Sequence, residues 1–296
     1  MPPVRFGMTM PVMEPELDRE VLERWALGID AGPWSTLAFG ERMAFTNPEI
    51  TALLGACAAW TRRCAIVTTI AIPTLHDPVW LAKSLATVDV LSQGRLRVGV
   101  GIGGREEDYA AVGADLSLRR HAELARRVGV MRRVWAGEKV VPGLLSPVGP
   151  APVQRGGPPL LSGAQGPKAI EAAARWADGV SGWSFGPDPK EVEGYFAQVR
   201  EAWREAGRPA PRLATAFWYA LGAGAREQVQ RHLRRYLNWL DPREVEGMLG
   251  ATGFAGSPAE LRAMLGRLAD TGAEEIVLVP TTSDPDEVAR AADCLP

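Results

Sequence analysis

The run from Asp77 to Gly104 places a helix start, a helix stripe, a helix stop, a buried strand and a glycine-rich loop in direct succession. Asp77 precedes Pro78, which pairs a side chain able to cap free backbone N–H groups with the residue that suits the first helical position. Leu81, Leu85 and Val88 then recur at i, i+4 and i+7, the spacing of a single buried helix stripe. Ser92-Gln93-Gly94 breaks the helix, and Leu96 to Val100 reads as a short apolar strand that runs into Gly101, Gly103 and Gly104. A strand ending in glycines leaves its backbone N–H groups open to a flat or phosphorylated ligand. The run therefore demands an α/β fold and marks where a ligand is expected.

The same strand–helix alternation extends over the whole chain. Val4 to Met10, Ser35 to Phe39 and Ala65 to Ile72 read as strands, separated by helices over Leu17 to Ile29, with Leu22 and Leu27 inward, and from Asn47-Pro48 to Trp60. Arg119 to Trp135 is a helix with Leu124, Val128, Met131 and Trp135 on one side, and the Gly- and Pro-rich stretch from Gly137 to Pro159 reads as a surface excursion. Strands then recur at Pro159 to Ser162, Gly179 to Gly182, Leu213 to Leu221 and Glu275 to Val279. Helices between them cover Lys168 to Trp176, Glu191 to Ala206, a loosely patterned Ala225 to Leu240, and a segment opened by the capping box Ser257-Pro258-Ala259-Glu260. Leu261, Leu265 and Leu268 stripe that last helix, Gly272 ends it, and Asp284-Pro285 opens a terminal one. Eight buried strands alternating with helices, none joined by a two-residue hairpin turn, predict an α/β chain folded as a (β/α)8 TIM barrel with loop insertions, one domain over residues 1–296. A doubly wound open sheet is the alternative.

Composition narrows the partners. The formal net charge of −2 offers no general attraction for nucleic acid or an anionic membrane, and the arginines between Arg119 and Arg133 read as the solvated side of a helix. No apolar run approaches the roughly 20 residues that span a bilayer. With no charged-then-apolar leader and an odd cysteine count without CxxC spacing, a reducing, cytoplasmic location is expected. His76, His121 and His232 are scattered and suggest no metal site.

Two glycine loops hold the candidate chemistry. Gly99-Val-Gly101-Ile-Gly103-Gly104 matches GxGxxG, but a dinucleotide fold needs it near the start of an open sheet with a helix opening beneath the pyrophosphate, and here acidic residues follow a fourth strand. The second loop, Ser162-Gly163-Ala164-Gln165-Gly166-Pro167-Lys168, lies between a strand and a helix. Its successive N–H groups, the Ser162 hydroxyl and the Lys168 charge suit a phosphate. Glu41 and Arg42 follow the second strand, at the catalytic face of a barrel, and are candidates to touch cofactor or substrate. Trp34, Trp183 and Trp218 lie near strand ends and are candidates to line an apolar pocket.

The segments Asp77 to Gly113, with Tyr109 and Gly113 in the continuation, and Ser162 to Gly179 resemble the signatures of the luciferase-like monooxygenase superfamily. That resemblance implies a (β/α)8 barrel using coenzyme F420 or FMN, with Gly101, Gly103 and Gly104 letting the cofactor ring approach the barrel mouth. Gly166-Pro167-Lys168 with Ala177-Asp178-Gly179 is similar to the pattern of F420-using members and favours that cofactor. It further implies a bulged third strand with a non-prolyl cis peptide, aligned with Thr69-Ile70, behind the deazaflavin ring. F420-dependent sugar-phosphate dehydrogenases of the superfamily carry an Asp-His pair after strand two and a glutamate past the fourth-strand glycines. Glu41-Arg42 and Gly104 stand there instead, which argues against the same sugar chemistry. The expectation is an oxidoreductase passing a hydride between F420 and an unidentified small organic substrate. An FMN-dependent monooxygenase or a non-catalytic cofactor-binding barrel are the alternatives. A reductase supplying reduced flavin or F420 and a second copy of the chain are the partners this reading admits.

Overall fold

The computed structural model describes residues 3–296. Among the described residues nine strands form one sheet: β1 (Arg5–Thr9), β2 (Thr36–Phe39), β3 (Ala65–Ala71), β4 (Leu96–Val100), β5 (Leu160–Ser162), β6 (Gly179–Ser181), β7 (Arg212–Leu221), β8 (Phe254–Gly256) and β9 (Glu275–Pro280). Every pairing is parallel, and β1 to β7 follow in order before β9 closes the ring between β7 and β1. The result is the expected (β/α)8 barrel. The strand expected as eighth is ninth along the chain, because Phe254–Gly256 pairs with Tyr219–Leu221 outside the ring. At ten residues β7 is long enough to pair β9 through Ala214–Tyr219 and still offer its outer end to β8.

Local capping sets most helix starts. The Asp77 carboxylate accepts from the N–H groups of Val79 and Trp80, and Leu81, Leu85 and Val88 are buried on that helix. Ser257 and Glu260 cap each other reciprocally. One start differs from the sequence reading: Glu49, not Asn47, accepts from Thr51 and Ala52, so the second helix begins at Ile50. The longer glutamate reaches the same free N–H groups from the residue next to the helix. The first helix spans Arg19–Ala31 and buries Trp25, Ala26 and Ile29, leaving Leu27 exposed rather than inward. The stretch over Ala225 to Leu240 ends as a helix at Tyr236, and Asp241 with Pro242 opens a separate helix to Met248. A short helix, Glu106–Ala111, follows the β4 glycines, and Glu106, Glu107 and Asp108 fill its first turn. Carboxylates there complement the helix dipole and repel a pyrophosphate, which together with barrel closure excludes the dinucleotide fold.

Between barrel and helices lies one large apolar core, while small residues fill the barrel interior around Ala38, Val67, Ala216 and Val277. At the N-terminal end the interior is closed by polar groups: Glu275 accepts from Ser35 (2.8 Å) and Thr36 (2.5 Å) and pairs with Arg97 (3.2 Å). The excursion from 137 to 158 is pinned by Gln154, which donates to both carboxylate oxygens of Asp89. Small residues in the middle and a plug at the base leave space only toward the C-terminal rim.

Candidate active site

That space is a cavity of about 310 Å³, within the range of small-molecule sites and at the barrel end where such sites form. One wall is backbone. β3 and β4 lose register between Thr68 and Ala71, and within this bulge the Thr69–Ile70 peptide bond is cis, the geometry that the resemblance implies. The bulge is held from two sides. Glu41 donates its N–H to the Ile70 carbonyl (3.0 Å) and accepts from the Ile72 N–H (2.6 Å), while Gly101 donates to the Ala71 carbonyl (3.0 Å). The second oxygen of Glu41 meets Nε2 of His76 at 2.5 Å.

The glycines are where side chains cannot be. A Cβ on Gly101 would sit 2.1 Å from Cδ1 of Ile70, and one on Gly163 would sit 3.1 Å from Cγ2 of the same residue. The two loops share a rim because β4 and β5 are neighbours, with Val100 opposite Ser162 and Gly163 donating to the Val100 carbonyl (2.9 Å). Beyond Ala164 the chain turns into the helix Pro167–Ala174 through Gly166, whose φ of 81° is left-handed and whose side-chain-free cap leaves the helix N–H groups open.

Of the residues singled out in the sequence, Glu41, Thr69, Ile70, Gly101, Gly103, Gly104, Ser162, Gly163 and Ala164 line the cavity. Gln165, Gly166 and Lys168 stand exposed on the rim. The Ser162 hydroxyl is turned to its own loop, accepting from the Ala164 N–H at 3.2 Å. Arg42 does not line the cavity; it pairs with Asp108 (3.1 Å) and Glu107 (2.7 Å), and Asp108 also accepts from the N–H groups of Met43 and Ala44. Asp178 and Gly179 serve the fold: Asp178 accepts from the Leu160 N–H and meets Arg132 and Arg208, and a Cβ on Gly179 would strike the Arg212 carbonyl at 2.3 Å. Trp183 and Trp218 line the cavity, edge to face at 4.3 Å, whereas Trp34 is core.

The opposite wall holds groups that sequence reasoning missed. Glu14, from the loop after β1, bonds Nδ1 of His232 and the guanidinium of Arg235, and His232 stacks on Tyr236 with centroids 5.7 Å apart. Burial in this aromatic setting lowers the His232 pKa below its usual value despite the Glu14 carboxylate. Arg105 lies over the rings of Tyr236 (4.6 Å) and Trp239 (5.1 Å), with cation–π attraction in place of a carboxylate. Glu14 and His232 are 218 residues apart, so no local spacing announces the pair. Among the described residues no cluster of three or more His, Cys, Asp or Glu could hold a metal ion, and no helix is long and apolar enough to cross a membrane.

A closed parallel barrel with a glycine-walled cavity at its C-terminal rim defines the class: a TIM-barrel protein with a concave site at the end of the strands. The chain belongs to the luciferase-like monooxygenase family, whose model matches residues 22–293. It is 35% identical over 161 residues to an uncharacterized protein of Mycobacterium tuberculosis, a match covering 52% of this chain and 56% of that one. It is 32% identical over 139 residues to the F420-dependent glucose-6-phosphate dehydrogenase of Beutenbergia cavernae, covering 45% of this chain and 41% of that enzyme. The chain thus spans about half the length of the curated relatives it matches. Its fold superposes on an F420-dependent secondary alcohol dehydrogenase in complex with an F420-acetone adduct, with TM-score 0.81, 18% identity and 98% and 97% of the two chains covered. A monooxygenase from Streptomyces bottropensis gives TM-score 0.78 at 24% identity, covering 98% and 96%. At these identities the superpositions speak for the fold.

Proposed function

We propose that the protein is an F420-dependent oxidoreductase that moves a hydride between coenzyme F420 and a small organic substrate. The observation that carries this reading is the side-chain-free cradle at Gly101 and Gly163 against Ile70, continuous along one rim with the open helix N-terminus at Gly166 and the exposed Lys168. A planar ring and a phosphate tail fit these two parts in that order. When bound, F420 supplies the hydride chemistry, and the protein supplies position and electrostatics. Ile70, Gly101 and Gly163 would back the ring; the N–H groups at Gly166 to Lys168 and the Lys168 charge would hold the phosphate. Glu41 has both carboxylate oxygens committed, so its role in this reading is to hold the bulge at Ile70 to Ile72 rather than to take a proton. Arg42 acts one step further out, fixing the loop that presents Glu41 through Asp108. Trp183 and Trp218 exclude water from the substrate half. The similarity to F420-dependent glucose-6-phosphate dehydrogenases supports the cofactor, and Glu41-Arg42, where the family resemblance implies an Asp-His pair, argues against the same sugar chemistry.

Titration of purified protein with F420 and with FMN, followed by cofactor fluorescence, tests the assignment. F420 is expected to bind more tightly, and turnover to proceed without oxygen uptake. Micromolar FMN binding with no detectable F420 binding, or turnover consuming oxygen in step with reduced flavin, overturns it in favour of a flavin monooxygenase.

A further inference from the structure

Three residues that line the cavity carry buried polar atoms without a partner among the described residues, Thr9 Oγ1, Arg105 Nε and His232 Nε2, and of these His232 is the one that can only accept. His232 is 3% exposed and forms part of the cavity wall, and its Nε2 is buried with no hydrogen-bond partner among the described residues. Buried ring nitrogens are normally paired, so an orphan in a cavity wall requires a reason. Its polarity follows from the other side of the ring. Glu14 is a carboxylate partner, which only accepts, so Nδ1 carries the proton and Nε2 of the neutral ring presents a lone pair. The charged groups around the ring are Glu14 from the loop after β1 and Arg235 from its own helix; Tyr236 stacks on one face and Trp218 meets the ring at a tilt of 57°. Arg235 shares the Glu14 carboxylate, and the aromatic surroundings disfavour a second proton on the imidazole. The ring thus provides one acceptor and no donor beside apolar walls, and the Thr9 hydroxyl and Arg105 Nε are the other unpaired buried polar groups on residues of the same cavity.

We propose that His232, oriented by Glu14, is a specificity-determining residue of this cavity and selects a ligand bearing a hydroxyl group, which donates its hydrogen bond to Nε2 between Trp218 and Tyr236. The proposal rests on the reading of the cavity as the substrate chamber, and not on the identity of the cofactor. A molecule of equal size that can only accept would leave Nε2 unpaired and set two acceptors against each other.

The test uses the full chain and two probes matched in shape, cyclohexanol and cyclohexanone, with dissociation constants from ligand-detected NMR. The wild type is expected to prefer cyclohexanol roughly threefold to tenfold, the span of one net hydrogen bond. His232→Phe should erase the preference, and His232→Gln, whose amide oxygen reaches the position of Nε2, should retain part of it. In histidine-labelled wild-type protein, cyclohexanol but not cyclohexanone should shift the Nε2 resonance, a readout that needs no variant to fold. Equal affinities in the wild type, an undiminished preference in His232→Phe, or an Nε2 resonance that reports a bound water and ignores the alcohol would overturn the proposal. F420 titration of the same samples separates the two readings. Intact F420 binding without alcohol preference overturns only the role of His232, and alcohol preference without F420 binding overturns only the cofactor.

Discussion

Removal of the Glu41 carboxylate tests how the cavity wall is held. Glu41 is 6% exposed and makes two short bonds, 2.6 Å to the Ile72 N–H and 2.5 Å to His76, so truncation to alanine strands a buried N–H beside the bulge. An unsatisfied buried donor costs about 1–3 kcal/mol. His76 keeps an 11% exposed edge through which water can serve it, so its loss is smaller. With the small void added, Glu41→Ala should cost about 2–4 kcal/mol, a large share of the roughly 5–15 kcal/mol of a typical domain. Glu41→Gln keeps an acceptor for Ile72 but turns its NH2 group to His76, which can accept only through the other tautomer, so it costs about 1 kcal/mol. At about 2 °C of melting temperature per kcal/mol for a chain of this size, the alanine variant should melt about 4–8 °C lower and the glutamine variant about 2 °C lower. The wall moves with the bulge, so F420 affinity should fall more than tenfold in Glu41→Ala and less than threefold in Glu41→Gln. Thermal denaturation and cofactor fluorescence on the same preparations read both. An alanine variant that melts within a degree of wild type and binds F420 unchanged would refute the claim that Glu41 holds this wall.

Three further outcomes follow from the same geometry. Lys168→Ala should weaken F420 binding modestly and mainly at low salt, because its side chain is an exposed point charge, whereas Gly166→Val should weaken it more, since valine at a φ of 81° is strained and fills the backbone approach; affinities equal and unchanged from wild type in both variants would return the loop to a plain connection. The folded-state pKa of His232 lies below its usual value, so the unfolded chain takes up that proton first: its contribution is complete above about pH 6.5 and is lost as pH falls through the folded-state pKa. Urea titrations should show His232→Gln flattening that slope, and an unchanged slope would contradict the lowered pKa. Cys57, Cys64 and Cys294 are all buried, with the Cys64 thiol pushed up to about 12, so a thiol reagent at pH 8 should react with none of the three until denaturant is added.

Much of this was legible along the chain. The Asp77-Pro78 start, the Leu81, Leu85 and Val88 stripe, the reciprocal cap at Ser257 and Glu260 and the glycines after Val100 are local, and each reads correctly because capping and periodicity act within a turn or two. The shared rim of the two glycine loops also followed, since parallel strands in a barrel end on one face. Most of what escaped the sequence depends on chain segments that meet only after folding. The β8 strand pairs with the outer end of β7, which extends past its pairing with β9, whereas the Glu49 cap is local and escapes because Asn47-Pro48 offers a similar start two residues earlier. Arg42 looked like a ligand contact and lies instead against Asp108, 66 residues away. The Glu14–His232 pair spans 218 residues, and its unpartnered Nε2 lies where Tyr236 and Trp218 pack against the ring. Sequence by itself therefore determined the units and the side of the barrel on which the cavity opens, through interactions between near neighbours. Tertiary structure alone decided which charges are spent on one another and which buried polar groups are left unpaired, because desolvation and pairing are settled by neighbours in space.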